Sequence, residues 1–244
     1  MIEAAGLRKR FGDVVAVDDV SFRAEAGAIT GILGPNGAGK TTTLRMLCSL
    51  IRPDAGSARI DGCDVAEQPE EVRRRIGVLP DVSGLYPRLT AREHVRYFGR
   101  LHGFGGGELE GRIERLMQTL DLVAVADRST QGFSHGERMK VAIARALVHE
   151  PRTVLLDEPT NGLDVMSTRT MRGLIHRLRD DGKCVLFSSH IMQEVSALCD
   201  VVVVIAKGRV VARGTPAELL ESTGAESLED AFVQAIGSDE GLEK

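Results

Sequence analysis

The sequence predicts an α/β fold whose sheet is mixed to largely parallel and is interrupted by an inserted helical subdomain. Three observations carry this expectation. Short apolar runs at 28–33, 153–156, 184–188 and 201–205 alternate with segments of helical period, a glycine-rich turn joins the first run to a helix, and residues 90–149 are almost wholly helical in pattern. At 244 residues, 43% hydrophobic and 27% charged, the chain can bury one large core with a subdomain, which excludes global disorder.

Residues 14–23 alternate apolar and polar as a strand does and end at Ala26-Gly27; residues 28–33 are apolar up to a glycine turn and read as a buried strand. A helix over 39–50 follows, and its stripe of Leu44, Leu47, Cys48 and Ile51 assigns Cys48 to core packing. Short strands are expected at 57–62 and 75–79. Thr90 and Glu93 form a capping box, Ala91, Val95 and Phe98 share one helical face, and the glycines of 103–107 break the helical run. Helices at 167–179 and 190–198 separate the later strands. The expected organisation is an α/β core over 1–85 and 150–220, a helical subdomain over 86–149, and a minor acidic tail over 221–244. One short helix in that tail carries Leu228, Ala231, Phe232 and Ala235.

The net charge of −4 argues against nonspecific nucleic-acid binding, but it is unevenly placed: seven acids face one lysine in that tail, and the remainder is close to neutral. The longest strongly apolar run, 201–206, is far short of the roughly 20 residues of a spanning helix, so any membrane role is peripheral. The first ten residues place basic side chains after apolar ones, the reverse of a secretory leader, which predicts a cytoplasmic protein. Cys48, Cys63, Cys184 and Cys199 lack Cys-x-x-Cys spacing and no histidine pairs closely with them, which argues against zinc and for reduced thiols.

Gly34, Pro35, Asn36, Gly37, Ala38, Gly39, Lys40 and Thr41 fit G-x-x-x-x-G-K-[ST] between a buried strand and a helix, where such a loop must lie. Its glycines let backbone N–H groups converge on phosphate oxygens, and the helix N-terminus adds positive potential. Lys40 neutralises the β- and γ-phosphates, Thr41 offers a hydroxyl to Mg²⁺, and Thr42 follows on the same turn. The bland alternative is a glycine turn followed by an ordinary lysine.

Residues 153–156 form an apolar run ending in Asp157 and Glu158, acids at the carboxyl edge of a parallel sheet. Asp157 is the expected Mg²⁺ ligand, directly or through water. Glu158, pointing the other way along the pleat, is the expected general base for attacking water. An acidic turn would be the default reading of this pair alone; beside the glycine loop it is not.

These motifs resemble the nucleotide-binding subunits of ABC transporters, and the resemblance spans nearly all of the chain, implying a P-loop NTPase fold of ABC type with ATP and Mg²⁺ as ligands. Phe133-Ser134-His135-Gly136-Glu137 stands where the family has Leu-Ser-Gly-Gly-Gln. The resemblance gives Ser134 and Gly136 the γ-phosphate held by the opposite subunit, a role that a capped helix N-terminus suits; a simple capping box of Ser134 with Glu137 is the alternative. Asn161-Gly-Leu-Asp164 looks like the D-loop running between two ATP sites, and His190 like the switch histidine that contacts the γ-phosphate. Phe11, 29 residues before Lys40, resembles the aromatic that stacks on adenine, with plain core packing as its alternative. Two positions depart from the pattern. Asp81 replaces the Q-loop glutamine; it can still meet Mg²⁺ but adds negative charge near the γ-phosphate and cannot donate. His135 replaces a glycine. Together they predict hydrolysis that is slow or dependent on the partner.

Residues 84–93 with Phe133-Ser134 and the 161–167 segment look most like the sodium-efflux branch of ABC exporters. One glycine-lysine loop and one signature per chain imply a head-to-tail dimer of two copies closing over two ATP molecules and driving a separate transmembrane permease subunit. Residues 81–100 would meet that permease, with Arg88, Arg92, Arg96 and Arg100 aligned toward an acidic helix or lipid headgroups, or simply toward solvent. A soluble ABC ATPase acting on ribosomes or DNA is the rival. Translation-type members usually carry two ATPase domains and chromosome types insert long coiled coils, whereas Lys40 and Ser134 are only 94 residues apart with no sustained heptads. A GTPase switch is disfavoured by the lack of Asn-Lys-x-Asp.

Overall fold

The computed structural model describes residues 1–81 and 84–237. Strands β1 (Ile2–Phe11) and β2 (Val14–Ala24) form a hairpin, and β3 (Ile29–Leu33) leads into α1 (Lys40–Leu47). Strands β4 (Ala55–Ile60) and β5 (Cys63–Asp64), helix α2 (Pro69–Arg75) and strand β6 (Ile76–Leu79) follow. Helices α3 (Ala91–Leu101), α4 (Gly106–Thr119) and α5 (His135–Leu147) precede β7 (Thr153–Asp157), α6 (Val165–Asp180), β8 (Cys184–Ser189), α7 (Met192–Leu198) and β9 (Val201–Ala206). The order closes with β10 (Arg209–Gly214), α8 (Pro216–Thr223) and α9 (Leu228–Ile236).

Among the described residues the ten strands form one sheet in the order β5-β4-β1-β2-β10-β9-β3-β8-β7-β6. Strands β9, β3, β8, β7 and β6 run parallel, as their near-continuous apolar sequences require once helices cover both faces. The sheet is less parallel than its sequence suggests: β1 pairs antiparallel with β2 and β4, β4 with β5, and β9 with β10. The alternation of β2 and β10 betrays a half-covered strand but not its partner, which is why this wing was not legible.

Alternate residues of the central strands enter opposite cores. Val202 and Val204 of β9 join the cluster under α3 to α7 and α9, whereas Val203 and Ile205 join the cluster with α1 and the β1-β2-β4 wing. Each such fully buried aliphatic side chain contributes about 1.5–3 kcal/mol. Cys48 is 4% exposed at the C-cap of α1, and burial pushes its thiol up to about 12, so it packs as a small apolar residue.

Several element limits move for local reasons. Helix α1 stops at Leu47 because Ser49 takes φ +54°, and α6 begins at Val165, earlier than expected, because Asp164 accepts the Ser167 N–H. Helix α7 begins at Met192, which leaves His190 in the turn after β8. The Thr90–Glu93 capping box starts α3 as read from the sequence. The expectation that the arginines at 88, 92, 96 and 100 align toward an acidic helix, lipid headgroups or solvent is corrected for Arg92 and Arg96. Arg92 Nε contacts Asp127 at 2.9 Å and its guanidinium also pairs with Glu114, while Arg96 forms two bonds to Glu110 at 2.7 and 2.8 Å. Glu110 and Glu114, four residues apart on one face of α4, draw these arginines into bracing α3 against α4.

The tail is no appendage over its described part. Leu219, Leu228 and Phe232 of α8 and α9 enter the same core as Val204. The rest of the acidic run, 238–244, lies outside the described residues.

Candidate functional site

The site lies where β3, β7 and β8 end together. Leu33 pairs with Ser189 and Asp157 with Ser188, so the parallel register brings the glycine loop, the two acids and the turn carrying His190 to one sheet edge.

Gly34 and Gly39 are glycines for steric reasons. A Cβ on Gly34 would lie 2.3 Å from the Ile205 carbonyl oxygen; one on Gly39, at φ +105°, would lie 2.5 Å from that of Ala16. The loop therefore presses against β9 and β2 before turning into α1. Lys40 opens that helix with 6% exposure, and its Nζ donates to the Gly34 carbonyl at 2.8 Å and the Pro35 carbonyl at 3.2 Å. It also stands 3.4 Å from Glu158 Oε1.

Asp157 ends β7 and is 6% exposed; its Oδ1 accepts from Ser188 Oγ at 2.6 Å and from Thr41 Oγ1 at 3.3 Å. Burial raises its carboxyl above the ordinary range, opposed by the Ser188 and Thr41 hydrogen bonds and reinforced by the charges of Asp81 and Glu158. A buried carboxylate beside a threonine hydroxyl, with oxygen donors only, fits a hard divalent cation. No cluster of three His, Cys, Asp or Glu ligands occurs among the described residues, so Mg²⁺ here would take its remaining ligands from nucleotide and water.

Glu158 lies beyond the strand with φ +49°, so a left-handed turn, not the pleat, separates its side chain from that of Asp157. Its N–H donates to Ser188 Oγ at 3.0 Å, and its Oε2 lies 3.0 Å from His190 Nδ1. Lys40 and His190 thus hold the two oxygens of one carboxylate. Ser188 is the residue that sequence reading passed over. A polar side chain closing an otherwise apolar strand was its only signal, and its register against Asp157 is tertiary.

A cleft of about 500 Å³ opens over these groups, within the range of small-ligand pockets of about 300–1,000 Å³. It is lined by residues 35–42, by Asp81, Glu158, Asn161 and His190, and by Val14, Val15 and Ala16. Those three from β2 were also not anticipated. Phe11 is 50% exposed and pairs with Val14 in the hairpin, which rules out plain core packing, and its ring sits 5.6 Å from Lys9 Nζ outside the cleft lining.

Ser134, Gly136 and Asp164 do not line this cleft. Ser134 caps α5 in a complete box, donating its N–H to Glu137 Oε2 at 2.7 Å and accepting from the Glu137 N–H at 3.2 Å. A Cβ on Gly136 would meet Ser167 Oγ at 2.7 Å, so a larger residue here would displace the Ser167 hydroxyl from its place beside α5. Asp164 accepts from Ser167 N at 2.9 Å and Ser167 Oγ at 2.9 Å, bonds that hold its carboxyl below the usual range. His135 Nε2 lies 3.1 Å from the Asn161 carbonyl oxygen.

A glycine-lysine loop between a parallel strand and a helix, facing buried acids on the neighbouring strand, defines a P-loop nucleoside triphosphatase. The chain belongs to the ABC transporter family, whose profile matches residues 17–161. It is 48% identical to the ABC transporter ATP-binding protein NatA of Bacillus subtilis, over 97% of this chain and 98% of that protein. It is 40% identical to the daunorubicin/doxorubicin resistance ATP-binding protein DrrA of Streptomyces peucetius, over 93% of this chain and 69% of that protein. A solved ATP-binding subunit of an ABC transporter superposes with a TM-score of 0.88 at 30% identity, covering 96% of this chain and 99% of that one. The dimeric MJ0796 cassette in a post-hydrolysis state with ADP and Pi superposes at 0.80 with 27% identity, covering 88% and 98%. The chain is an ATP-binding subunit of an ABC transporter and an ATPase.

Proposed function

We propose that this ATPase powers an exporter by closing head to tail on a second copy of itself over two ATP molecules, each held by the P-loop of one copy and the Ser134 segment of the other. One observation carries the reading: Ser134, Gly136 and Asp164 sit at capped helix starts away from their own chain's cleft. Val165 and Met166, 84% and 69% exposed beside Asp164, offer apolar surface to the second copy. The dimeric MJ0796 cassette supports such pairing.

In this reading the loop N–H groups and Lys40 bind the β- and γ-phosphates, Thr41 and Thr42 stand at the start of α1, and Phe11 with the Val14–Val15 edge receives adenine. Thr41, Asp157 and Asp81 would hold Mg²⁺, which would supply charge neutralisation at the transferred phosphoryl group. Glu158 accepts the proton of the attacking water as its oxygen bonds to the γ-phosphorus and ADP leaves. His190 orients Glu158 through their 3.0 Å contact and reaches the γ-phosphate.

No helix among the described residues is long and apolar enough to cross a membrane, and the membrane path is assigned to a separate permease subunit. Tyr86, Tyr97 and Leu101 are 52%, 45% and 65% exposed, with Tyr86 and Tyr97 packed edge to face at 6.1 Å, and they form the apolar contact for it. The CbiO1 cassette, described as part of the ABC transporter complex CbiONQ, supports a multi-subunit assembly. The chain would lie in the cytoplasm, peripheral on the inner face of the cell membrane, with residues 86–149 as the subdomain that meets the permease. Sodium is the proposed cargo, on the likeness of residues 84–93 and 161–167 to the sodium-efflux branch. Isolation from membranes in mild detergent, followed by identification of what accompanies the chain, tests the reading. Recovery with a multi-helix membrane protein supports it, and recovery with ribosomes overturns it.

A further inference from the structure

His135 joins the start of α5 to the loop after β7. Its position is the first residue of α5, between Ser134 and Gly136, and its imidazole reaches across to the loop after β7. A carbonyl oxygen can only accept, so the ring carries its proton on Nε2 and donates it to Asn161 O at 3.1 Å. The ring lies against Gly162, where a Cβ would come within 3.6 Å of it.

Asn161 is no distant anchor. Its N–H donates to the Glu158 carbonyl at 3.1 Å, closing the turn that holds Glu158 at φ +49°, and it lines the same cleft as Lys40 and His190. Gly136 faces Ser167, whose N–H and hydroxyl are held by the Asp164 cap, so the start of α5 also lies against the start of α6. The start of α5 is thus joined to the Glu158 turn through the His135 side chain and the backbone of Asn161.

We propose that His135 is a positioning residue that ties the signature segment to the Glu158 turn, so that Ser134 engaged on one nucleotide sets the base acting on the other. The proposal rests on the two-copy reading above. It deepens that reading by making hydrolysis at each site answer to occupancy of its neighbour. A glycine at this position has no side chain to make the link.

The experiment uses the full-length chain with His135→Ala and His135→Gln. A glutamine Nε2 reaches about as far from the backbone as an imidazole Nε2 and also donates. For His135→Ala, ADP affinity by titration calorimetry should match the parent, because the Lys40 cradle is untouched. Its kcat should fall about three- to tenfold, the size of one neutral hydrogen bond, with the Hill coefficient for ATP dropping toward 1. His135→Gln should recover most of both. An alanine variant with parental kcat and Hill coefficient overturns the coupling, as does a glutamine variant no better than alanine at equal thermal stability. A parent chain that stays monomeric with ATP, with a Hill coefficient of 1, overturns the two-copy reading beneath it instead.

Discussion

Ser188 donates its hydroxyl proton to Asp157 Oδ1 at 2.6 Å, and its own Oγ accepts the N–H of Glu158 at 3.0 Å. One side chain thus fixes the proposed cation ligand and the turn of the proposed base. Ser188→Ala leaves the Glu158 N–H unsatisfied at a cost of about 1–3 kcal/mol. Thermal unfolding should show a lower Tm, and the Mg²⁺ concentration for half-maximal ATPase should rise several-fold. An unchanged Mg²⁺ dependence would remove Ser188 from the site.

Glu158→Gln keeps the shape of the side chain and the contact with His190 but cannot take a proton. Turnover should fall about 10²- to 10⁴-fold, the usual worth of a general base, while ATP still binds. Size-exclusion chromatography should show an ATP-dependent shift to a dimer. Full residual turnover would mean that another group takes the proton.

Lys40→Ala removes the only ammonium among the described residues lining the cleft. ATP affinity should fall at least tenfold, equivalent to about 1.4 kcal/mol, and turnover should be lost. Calorimetric titration giving parental affinity would dissolve the P-loop assignment.

His149 stacks on His102 with ring centroids 3.7 Å apart and planes 5° from parallel. Burial, then the neighbouring His102 charge, lowers its pKa to about 4, well below an unfolded histidine. A depressed histidine contributes stability that is complete above about pH 6.5 and is lost as pH falls toward its folded value. His149→Gln retains a donor for the Ile76 carbonyl, which His149 contacts at 2.9 Å, and should flatten the decline of Tm between pH 6.5 and 4. Parallel Tm profiles for the two proteins would contradict this sign.

Arg96 joins α3 to Glu110 of α4 by two hydrogen bonds. Arg96→Glu should lower stability by about 1 kcal/mol, and adding Glu110→Arg should restore much of it. Additive losses in the double variant would show that the pair contributes nothing of its own.

The chemistry of the cleft was legible because short motifs impose it. A loop with Gly34 and Gly39 before Lys40 can approach an anion whatever surrounds it, and an apolar strand ending in Asp157-Glu158 presents acids wherever it sits in a parallel sheet. Capping boxes at Thr90 and Ser134 were legible for the same reason, since both partners lie within four residues.

What the chain order could not express was decided by strand register and by side chains meeting across it. Ser188 reaches Asp157 only because β7 and β8 align, and Val14 and Val15 reach the cleft only because an antiparallel wing folds beside α1. Arg92 and Arg96 read as a free basic face until α4 supplied acids to neutralise them. The amino-acid sequence by itself determined the phosphate loop, the acid pair and the helix caps, because their geometry is local. Tertiary structure alone decided which groups share a hydrogen bond, because those distances depend on how separate elements pack.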